Sequence, residues 1–259
     1  MNVDRELQAI YIMWLRQMKR FIRSKSRLIA TIAQPLFFLV LLGSGLRAAM
    51  LPGMEGTDYL QFLAPGIIAM SILFSSMFAG ISVLWDKQFG FLQEVLVAPI
   101  SRMSIIIGRT LGGATTALIQ GFIILIIAFG LGIQITSVTG FFLTVIFMIL
   151  IAFTAVGFGL VLASKMEDFQ GFQVIMSLLI MPLLFLSSAF FPIQANPDLP
   201  AMLRTVSYAN PMFYMVDGLR GSFTGVDNVL PPLTNLAIVF VICLIMMGLG
   251  SYFFSKSEA

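Results

Sequence analysis

Long apolar stretches, separated by short polar segments, dominate the chain. Asp, Glu, Lys and Arg are absent from residues 28–46, 59–85, 110–164, 169–197 and 228–255. A helix needs about 20 apolar residues to cross a hydrocarbon core about 30 Å thick. The third stretch is long enough for two crossings, with Gly130, Gly132 and Gly140 marking the break. The pattern predicts an all-α integral membrane protein with six transmembrane helices, at about residues 28–47, 59–83, 105–130, 139–163, 170–191 and 232–254.

The distribution of Lys and Arg predicts the orientation of these spans. Cytoplasmic loops of membrane proteins carry an excess of Lys and Arg. With a cytoplasmic N-terminus, the inner segments hold Arg5, Arg16, Lys19, Arg20, Arg23, Lys25, Arg27, Lys87, Arg102, Arg109, Lys165 and Lys256. The outer segments then hold Arg47, Arg204 and Arg220. Both termini are therefore predicted to be cytoplasmic, with the chain in the plasma or inner membrane.

The N-terminal segment is predicted to form an amphipathic helix over residues 5–23. Its apolar side chains recur at helical spacing, which places on one face Leu7, Ile10, Tyr11, Trp14, Leu15, Met18 and Ile22. The opposing face carries Arg16, Lys19, Arg20 and Arg23. Such a helix lies in the membrane interface with its basic side toward anionic headgroups. We interpret residues 1–27 as a cytoplasmic interface helix and residues 28–256 as the transmembrane domain; the helix is either an anchor alone or also contacts a cytoplasmic partner.

The inner loop after the second span is unusually apolar. Residues 86–102 read DKQFGFLQEVLVAPISR, in which Phe89, Leu92 and Leu96 share a helical stripe that Pro99 ends. An exposed helix with an apolar stripe favours docking into a protein groove. Lodging on the membrane surface is the alternative.

The outer segment between the fifth and sixth spans is broken by prolines. Residues 191–232 contain six prolines and two short helical candidates, residues 199–208 and 212–222. Pieces that dip partway into the membrane fit this pattern, provided that protein covers their backbone. Asp217 and Arg220 lie one turn apart, so we expect a mutual ion pair at the outer interface, with contact to a substrate as the alternative.

Composition narrows the possible chemistry. The chain is 59% hydrophobic and 10% charged, with a net charge of +3 and no histidine, whereas soluble domains carry about 25% charged residues. Its one cysteine, Cys243, forms no intrachain disulfide, and the lack of histidine excludes a Cys/His metal site. Basic residues interleaved with aromatics on a soluble fold, which would indicate nucleic-acid binding, are absent.

No energy-coupling chemistry is visible within the predicted spans. Ion-coupled pumps carry ionisable residues inside their spans, whereas here Arg47 and Arg109 lie near span ends, where they can snorkel to the interface. A phosphate-binding GxxxxGK[ST] loop is absent, since Gly-Lys does not occur. The chain is therefore predicted not to be an enzyme, and any ATP hydrolysis would occur on a separate polypeptide.

Two motifs resemble those of type-2 ABC transporter permeases, particularly the drug-exporter branch associated with daunorubicin resistance and the related nodulation exporters. One is EVLVAPISR at residues 94–102, running on to Gly108 and Arg109. The other is SSAFFPIQANPDLPAMLRTVSYANPMFYMVDGLRG at residues 187–221. The likeness covers nearly the whole chain.

The resemblance implies partners and roles that the periodicity alone does not show. The chain would pair with a second copy or a related permease, mainly through spans one and five. Each chain would bind a nucleotide-binding ATPase subunit that holds ATP and Mg. The coupling helix would comprise Gln88, Phe89, Gly90, Phe91, Leu92, Gln93, Glu94, Val95 and Leu96. The outer gate would involve Phe190, Phe191, Pro192, Asn210, Pro211, Asp217 and Arg220.

These expectations combine into a hypothesis of function. The chain would export an amphiphilic or lipophilic substrate, along a path lined by Ser75, Ser76, Thr115, Thr116, Ser187 and Ser188. A passive channel or facilitator and a non-transporting assembly factor are the alternatives. Gly113, Ala117 and Gly121 repeat at four-residue spacing on span three, which suits close packing either within one subunit or between two.

Overall fold

The computed structural model describes residues 3–45, 58–90, 100–166, 168–226 and 228–257. These residues form nine α-helices and no strand. In chain order the helices are α1 Val3–Arg23, α2 Lys25–Gly45, α3 Tyr59–Gln88, α4 Arg102–Gly130, α5 Val138–Lys165, α6 Phe169–Phe185, α7 Ala201–Ala209, α8 Pro211–Phe223 and α9 Pro232–Ser257. The prediction of an all-α protein is confirmed for this part of the chain.

Helices α2 to α6 and α9 run in alternating directions between two ends of a bundle. At one end, called the basic end here, Arg102 at the start of α4 donates a hydrogen bond to the carbonyl of Ser255 near the end of α9. Trp85 of α3 stacks on Phe169 of α6 at the same end, with ring centroids 5.8 Å apart. At the other, the cap end, α8 packs against α3, and the Tyr59 hydroxyl at the start of α3 donates to the Phe190 carbonyl at 3.0 Å.

Helix α3 is the centre of the bundle. It packs against α2, α4 and α5, and α9 packs on α5. Gly80 of α3 meets Gly159 of α5, where a Cβ on Gly80 would lie 2.6 Å from the Gly159 carbonyl oxygen. Any larger side chain would push these two helices apart, since that distance is far below van der Waals contact. Residues on all sides of α3 are buried, and small residues such as these glycines let its neighbours approach closely.

Among the described residues, five helices are long and apolar enough to cross a membrane: Leu28–Gly45, Tyr59–Gln88, Arg102–Gly130, Val138–Lys165 and Pro232–Lys256. Helix α6 is apolar but has 17 residues. The expected fifth span was to reach residue 191, yet the helix ends at Phe185, and this boundary was wrong. The backbone turns at Ser187, whose N–H bonds to the Leu184 carbonyl, and Ser188 has a positive φ of 58°, outside the helical region.

Prolines interrupt the backbone hydrogen bonding of three long helices. Pro35 lies within α2, Pro65 within α3 and Pro182 within α6. Proline lacks the N–H that would bond to the carbonyl four residues earlier. Each of these helices therefore has one point of reduced stiffness.

Helix α1 runs alongside α4, in the same direction. Glu6 contacts Ser101, the backbone of Ile10 packs on Gly108, and Gln17 packs on Gly112. Trp14 donates its indole N–H to the Thr115 hydroxyl at 3.1 Å. The C-terminal end of α1 thus reaches the level of the apolar part of α4.

The small residues of α4 pack within the chain. Gly113 faces Ala79 and Val156, and Gly121 faces Ile72 and Met148. Gly113 and Gly121 therefore pack within one subunit, which was one of the two alternatives for these small residues.

Candidate functional site

A cluster of three arginines surrounds Asp86 at the basic end. Arg16 of α1 makes a bidentate contact with the carboxylate, at 2.9 Å and 2.5 Å. Arg109 of α4 forms an ion pair with the same group at 2.9 Å, and an Arg20 nitrogen lies 3.9 Å from it. Asp86 and Arg109 are buried, with 4% and 2% of their surface exposed. One carboxylate therefore joins α1, α3 and α4.

Two expectations about this region were wrong. Arg109 does not snorkel to the interface, because Asp86 on the neighbouring helix holds it inside the protein, and its guanidinium lies over the Phe254 ring. Nor does the whole basic face of α1 point away from the protein. Arg16 binds Asp86, and Arg20 lies over the Trp85 ring at 4.6 Å. Arg47, the other expected snorkelling residue, lies outside the described residues.

Several residues on the predicted apolar face of α1 are exposed. Leu7, Tyr11 and Ile22 are each more than half exposed, whereas Ala9, Met13 and Phe21 are buried against the bundle. The Arg16 and Arg20 side chains reach across to Asp86, so the face of α1 that packs on the protein contains both apolar and charged residues. Sequence reasoning missed Asp86, whose signal is an acid on α3 placed at the same end as a base, Arg109, on α4.

Glu6 fastens the other end of α1 to the start of α4. Its carboxylate accepts hydrogen bonds from the Ser101 backbone N–H at 3.0 Å and from the Ser101 hydroxyl at 2.8 Å. Ser101 is itself the N-cap of α4 and accepts from the Ser104 N–H. Hydrogen bonding to the Ser104 and Ser101 side chains lowers the pKa of Glu6 from its ordinary value of 4.5. The charged form is thus the one that holds α1.

The contact between Glu6 and Ser101 should depend on pH. A carboxylate with a lowered folded-state pKa stabilises the fold above pH 4.5, and the contribution is lost as the pH falls through the folded value. Glu6→Gln is therefore expected to speed amide hydrogen exchange in the first two turns of α1 at pH 7. The difference from wild type should vanish near pH 3. Asp4→Asn is the matched control, and equal exchange of wild type and Glu6→Gln at pH 7 would contradict the prediction.

The structure describes only the first three residues of the predicted coupling helix. Gln88 is the last residue of α3, Phe89 is its C-cap, and Gly90 has a positive φ of 72°. These three residues therefore end α3 and begin a turn. The Phe89 side chain is 83% exposed. The other predicted coupling residues, Phe91, Leu92, Gln93, Glu94, Val95 and Leu96, lie outside the described residues.

Arg220 of α8 is the main buried cation at the cap end within the described part of the chain. It is 1% exposed, and its guanidinium lies 3.7 Å from the centroid of the Phe62 ring. It donates hydrogen bonds to the carbonyl of Phe62, at 3.3 Å, and to that of Ser188, at 2.6 Å. Arg220 thereby connects α8, α3 and the turn that follows α6.

Asp217 has a different set of partners. Its carboxylate accepts from the N–H groups of Val229 and Leu230, at 2.8 Å and 2.9 Å, and from the Asn235 amide at 2.8 Å. The expected Asp217–Arg220 ion pair is wrong, since each side chain points to a different neighbour. Asp217 binds the loop before α9, whereas Arg220 binds α3 and the turn after α6.

The remaining outer-gate residues gather around the end of α6. Phe190 is buried against Phe38 and Phe185, and Asn210 donates to the Leu183 carbonyl at 2.7 Å while capping α8. Pro211 is the first residue of α8. Pro192 is buried, whereas Phe191 is 43% exposed. Phe190 and Asn210 thus contact the end of α6, and Arg220 bonds to the turn that follows it, whereas Asp217 bonds to the loop before α9.

Most of the hydroxyls expected to line a path are buried within this chain. Thr116 donates to a carbonyl of its own helix, Ser187 donates to the Leu184 carbonyl at the end of α6, and Ser76 donates across to Ala152 of α5. Thr115 binds Trp14 of α1. Ser75, Ser76, Ser187 and Ser188 are buried. Several of these hydroxyls therefore donate to backbone carbonyls of the chain itself, and the path between two chains stays a prediction.

Two cavities in the described part of the chain offer space for a ligand. A cavity of about 230 Å³ lies between α3, α5, α6, α8 and α9, and is lined mainly by apolar side chains, among them Leu73, Phe158, Leu179, Met212 and Ile242. A second, more open cleft of about 590 Å³ lies along α6, where Gln170, Gln173 and Ser177 are exposed beside Val174 and Leu178.

Comparison with known proteins identifies the family. Residues 8–224 match the family described as ABC-2 type transporter. The inner membrane transport permease YadH of Escherichia coli K12 is 26% identical over 237 residues, covering 90% of this chain and 89% of that protein. The putative transport permease ycf38 of Cyanophora paradoxa is 29% identical, covering 83% and 73%. Nodulation protein J of Rhizobium leguminosarum bv. viciae is 27% identical, covering 84% and 81%. The chain is a membrane protein that belongs to the ABC-2 type transporter family.

Proposed function

We propose that this chain is the permease subunit of an ATP-driven exporter, with six spans and both termini in the cytoplasm. The basic end is then cytoplasmic and the cap end external, in the plasma or inner membrane. This assignment follows the excess of Lys and Arg at the basic end. Helix α6 supplies the sixth span, because about 17 residues is the lower limit for crossing. Residues 1–27 and 28–256 are the interface helix and the transmembrane domain.

The observation that carries the proposal is the exposed Phe89 beside the Asp86 cluster. Phe89 stands three residues after Asp86, at the tip of the central helix, with 83% of its surface exposed. A large apolar side chain so exposed on the cytoplasmic side suits a protein groove. An ATPase subunit that holds ATP and Mg would bind there and move the helices that Asp86 joins. Residues 88–96 remain the proposed coupling segment.

Pairing with a second copy, or with a related permease, is supported by α6. Gln173 and Ser177 are exposed along a helix that otherwise reads as a membrane span. Polar side chains within a span face protein or a water-filled space rather than lipid. A second chain against α6 and the exposed face of α2, which carries Phe37 and Leu41, would supply that environment. The cleft along α6 would then become part of a shared path.

The cargo that we propose is amphiphilic or lipophilic. The cavity of about 230 Å³ has an apolar lining with Met212, Met215 and Met246, whose flexible side chains adapt to different shapes. Apolar cavities of this kind stay dry and bind apolar molecules. Export would then use the movement of the basic end to open the cap end.

A charge at the tip of α3 tests the proposal. Phe89→Glu combined with Leu92→Glu is expected to leave membrane insertion intact and to lower co-purification of the ATPase subunit at least tenfold, because the groove would have to bury two carboxylates. Val138→Glu is the matched control, since Val138 is 76% exposed at the cap end, beyond reach of the ATPase. Co-purification of the double variant at the wild-type level would overturn the docking assignment.

Nucleotide dependence separates the proposal from its two alternatives. A passive channel or facilitator would conduct its solute in vesicles without ATP. An assembly factor would support no flux at all. ATP-dependent flux by the chain together with its ATPase subunit would exclude both.

A further inference from the structure

A wide pocket at the basic end lies between α1 and the end of α3. Its volume is about 830 Å³, and four cations line it, Arg16, Lys19, Arg20 and Arg23, together with a single carboxylate, Asp86. Arg16 already binds Asp86 at both oxygens. Lys19 and Arg23 have no hydrogen-bond or ion-pair partner among the described residues. The pocket therefore has an excess of positive charge.

The pocket also has an apolar wall. Ile12, Leu15 and Phe89 line it beside Trp85, and Ile12 is 53% exposed. Cations next to exposed aliphatic and aromatic side chains fit a molecule that carries both an anionic group and hydrocarbon. A small soluble anion would leave that wall exposed to water.

The position of the pocket matches the surface of a bilayer. Because α1 runs alongside α4, its C-terminal turns reach the apolar stretches of the bundle: Arg20 and Phe21 border a small cavity with Ser75, Thr116 and Gln120. Lys19 and Arg23 thus belong to the turns of α1 that lie beside the apolar part of the bundle. Long basic side chains at this depth place their charges in the headgroup layer.

We propose that this pocket binds the phosphate headgroup of an anionic phospholipid from the cytoplasmic leaflet. Lys19 and Arg23 neutralise the phosphate, while Trp85 contacts the upper part of the acyl chains. Asp86 keeps Arg16 engaged, so the lipid meets only the unpaired cations. A lipid bound here stabilises α1 against the bundle, next to Phe89. This assignment rests on the proposed orientation, in which the basic end is cytoplasmic, and does not depend on cargo or ATP.

Fluorescence of Trp85 can test the site directly. The chain has two tryptophans, so Trp14→Phe leaves Trp85 as the sole reporter. In phosphatidylcholine vesicles, phosphatidylglycerol with brominated chains should quench Trp85 more than brominated phosphatidylcholine at the same mole fraction. Two cations near the surface should give a preference of at least tenfold. Lys19→Gln with Arg23→Gln should remove most of it, and Lys19→Arg with Arg23→Lys should keep it.

Controls distinguish this site from general attraction and from other ligands. Arg5→Gln with Lys256→Gln removes the same charge from exposed positions outside the pocket and should leave the preference unchanged. Equal quenching by the two lipids, or an equal loss in this control, would overturn the proposal. So would relief of quenching by millimolar inorganic phosphate at constant ionic strength, which would indicate a soluble anion. If the variant with Lys19→Gln and Arg23→Gln keeps the wild-type lipid preference but no longer binds the ATPase subunit, the surface belongs to the interface with that protein instead.

Discussion

Asp86→Asn is expected to destabilise the bundle by roughly 3–5 kcal/mol, the cost of leaving a buried charge without its partner. Arg109 is 2% exposed, so water cannot replace the lost carboxylate. Arg16 would also lose its bidentate partner, and α1 would be held less firmly. Thermal unfolding of the purified chain in detergent should show a fall of about 10 °C in Tm.

A double variant separates the ion pair from a general loss of packing. If Arg109 is the charge left stranded, Asp86→Asn with Arg109→Met should be more stable than Asp86→Asn alone. Asp198→Asn, a change of the same kind at an exposed residue, should leave Tm within about 1 °C. Simple additivity of the Asp86 and Arg109 changes would contradict the account given for this cluster.

Arg220→Met should have an effect of similar size at the cap end. The variant leaves the carbonyls of Phe62 and Ser188 without their donor inside the protein, and it loses the cation–π contact with Phe62. Unmade hydrogen bonds of this kind cost about 1–3 kcal/mol each, so a loss of about 3 kcal/mol or more is expected. The Ser188 turn, with its positive φ, loses its main support.

Arg220→Lys tests whether charge alone is sufficient. One ammonium is a point donor without a planar face, so it cannot both stack on Phe62 and reach the two carbonyls. We expect it to recover less than half of the stability. Arg204→Gln is the control in the same segment, where a less buried arginine donates to carbonyls of residues 196, 197 and 199. Full rescue by lysine in the Tm measurement would show that the planar guanidinium is not required.

Length and periodicity predicted what depends on local sequence. Apolar stretches and the spacing of side chains located the long helices, the amphipathic α1 and the two short helices α7 and α8. These features follow from hydrogen bonding and burial along one segment. The end of α6 was missed because the apolar run continues past Phe185, while the turn depends on Ser187 and Ser188.

Partner choice was not predictable from the same patterns. Asp217 and Arg220 have the spacing of an ion pair on one helix, yet contacts from α3 and from the loop before α9 draw them apart. Asp86 and Arg16 are 70 residues apart in the chain, so no local pattern could pair them. Roles in ATPase docking and gating remain predictions, because they depend on surfaces that other chains would cover.

The internal proline of α3 and the Asp86 cluster together set the length of a lever arm. Pro65 and Asp86 are 21 residues apart, which is about 30 Å of helix at the usual rise. No proline interrupts α3 between these two residues, and Asp86 fastens the C-terminal end of α3 to α1 and α4. A tilt of about 5° at the fastened end would therefore displace the helix near Pro65 by about 2.6 Å over that length. A small movement of the loop after α3 would therefore become a larger displacement near Pro65.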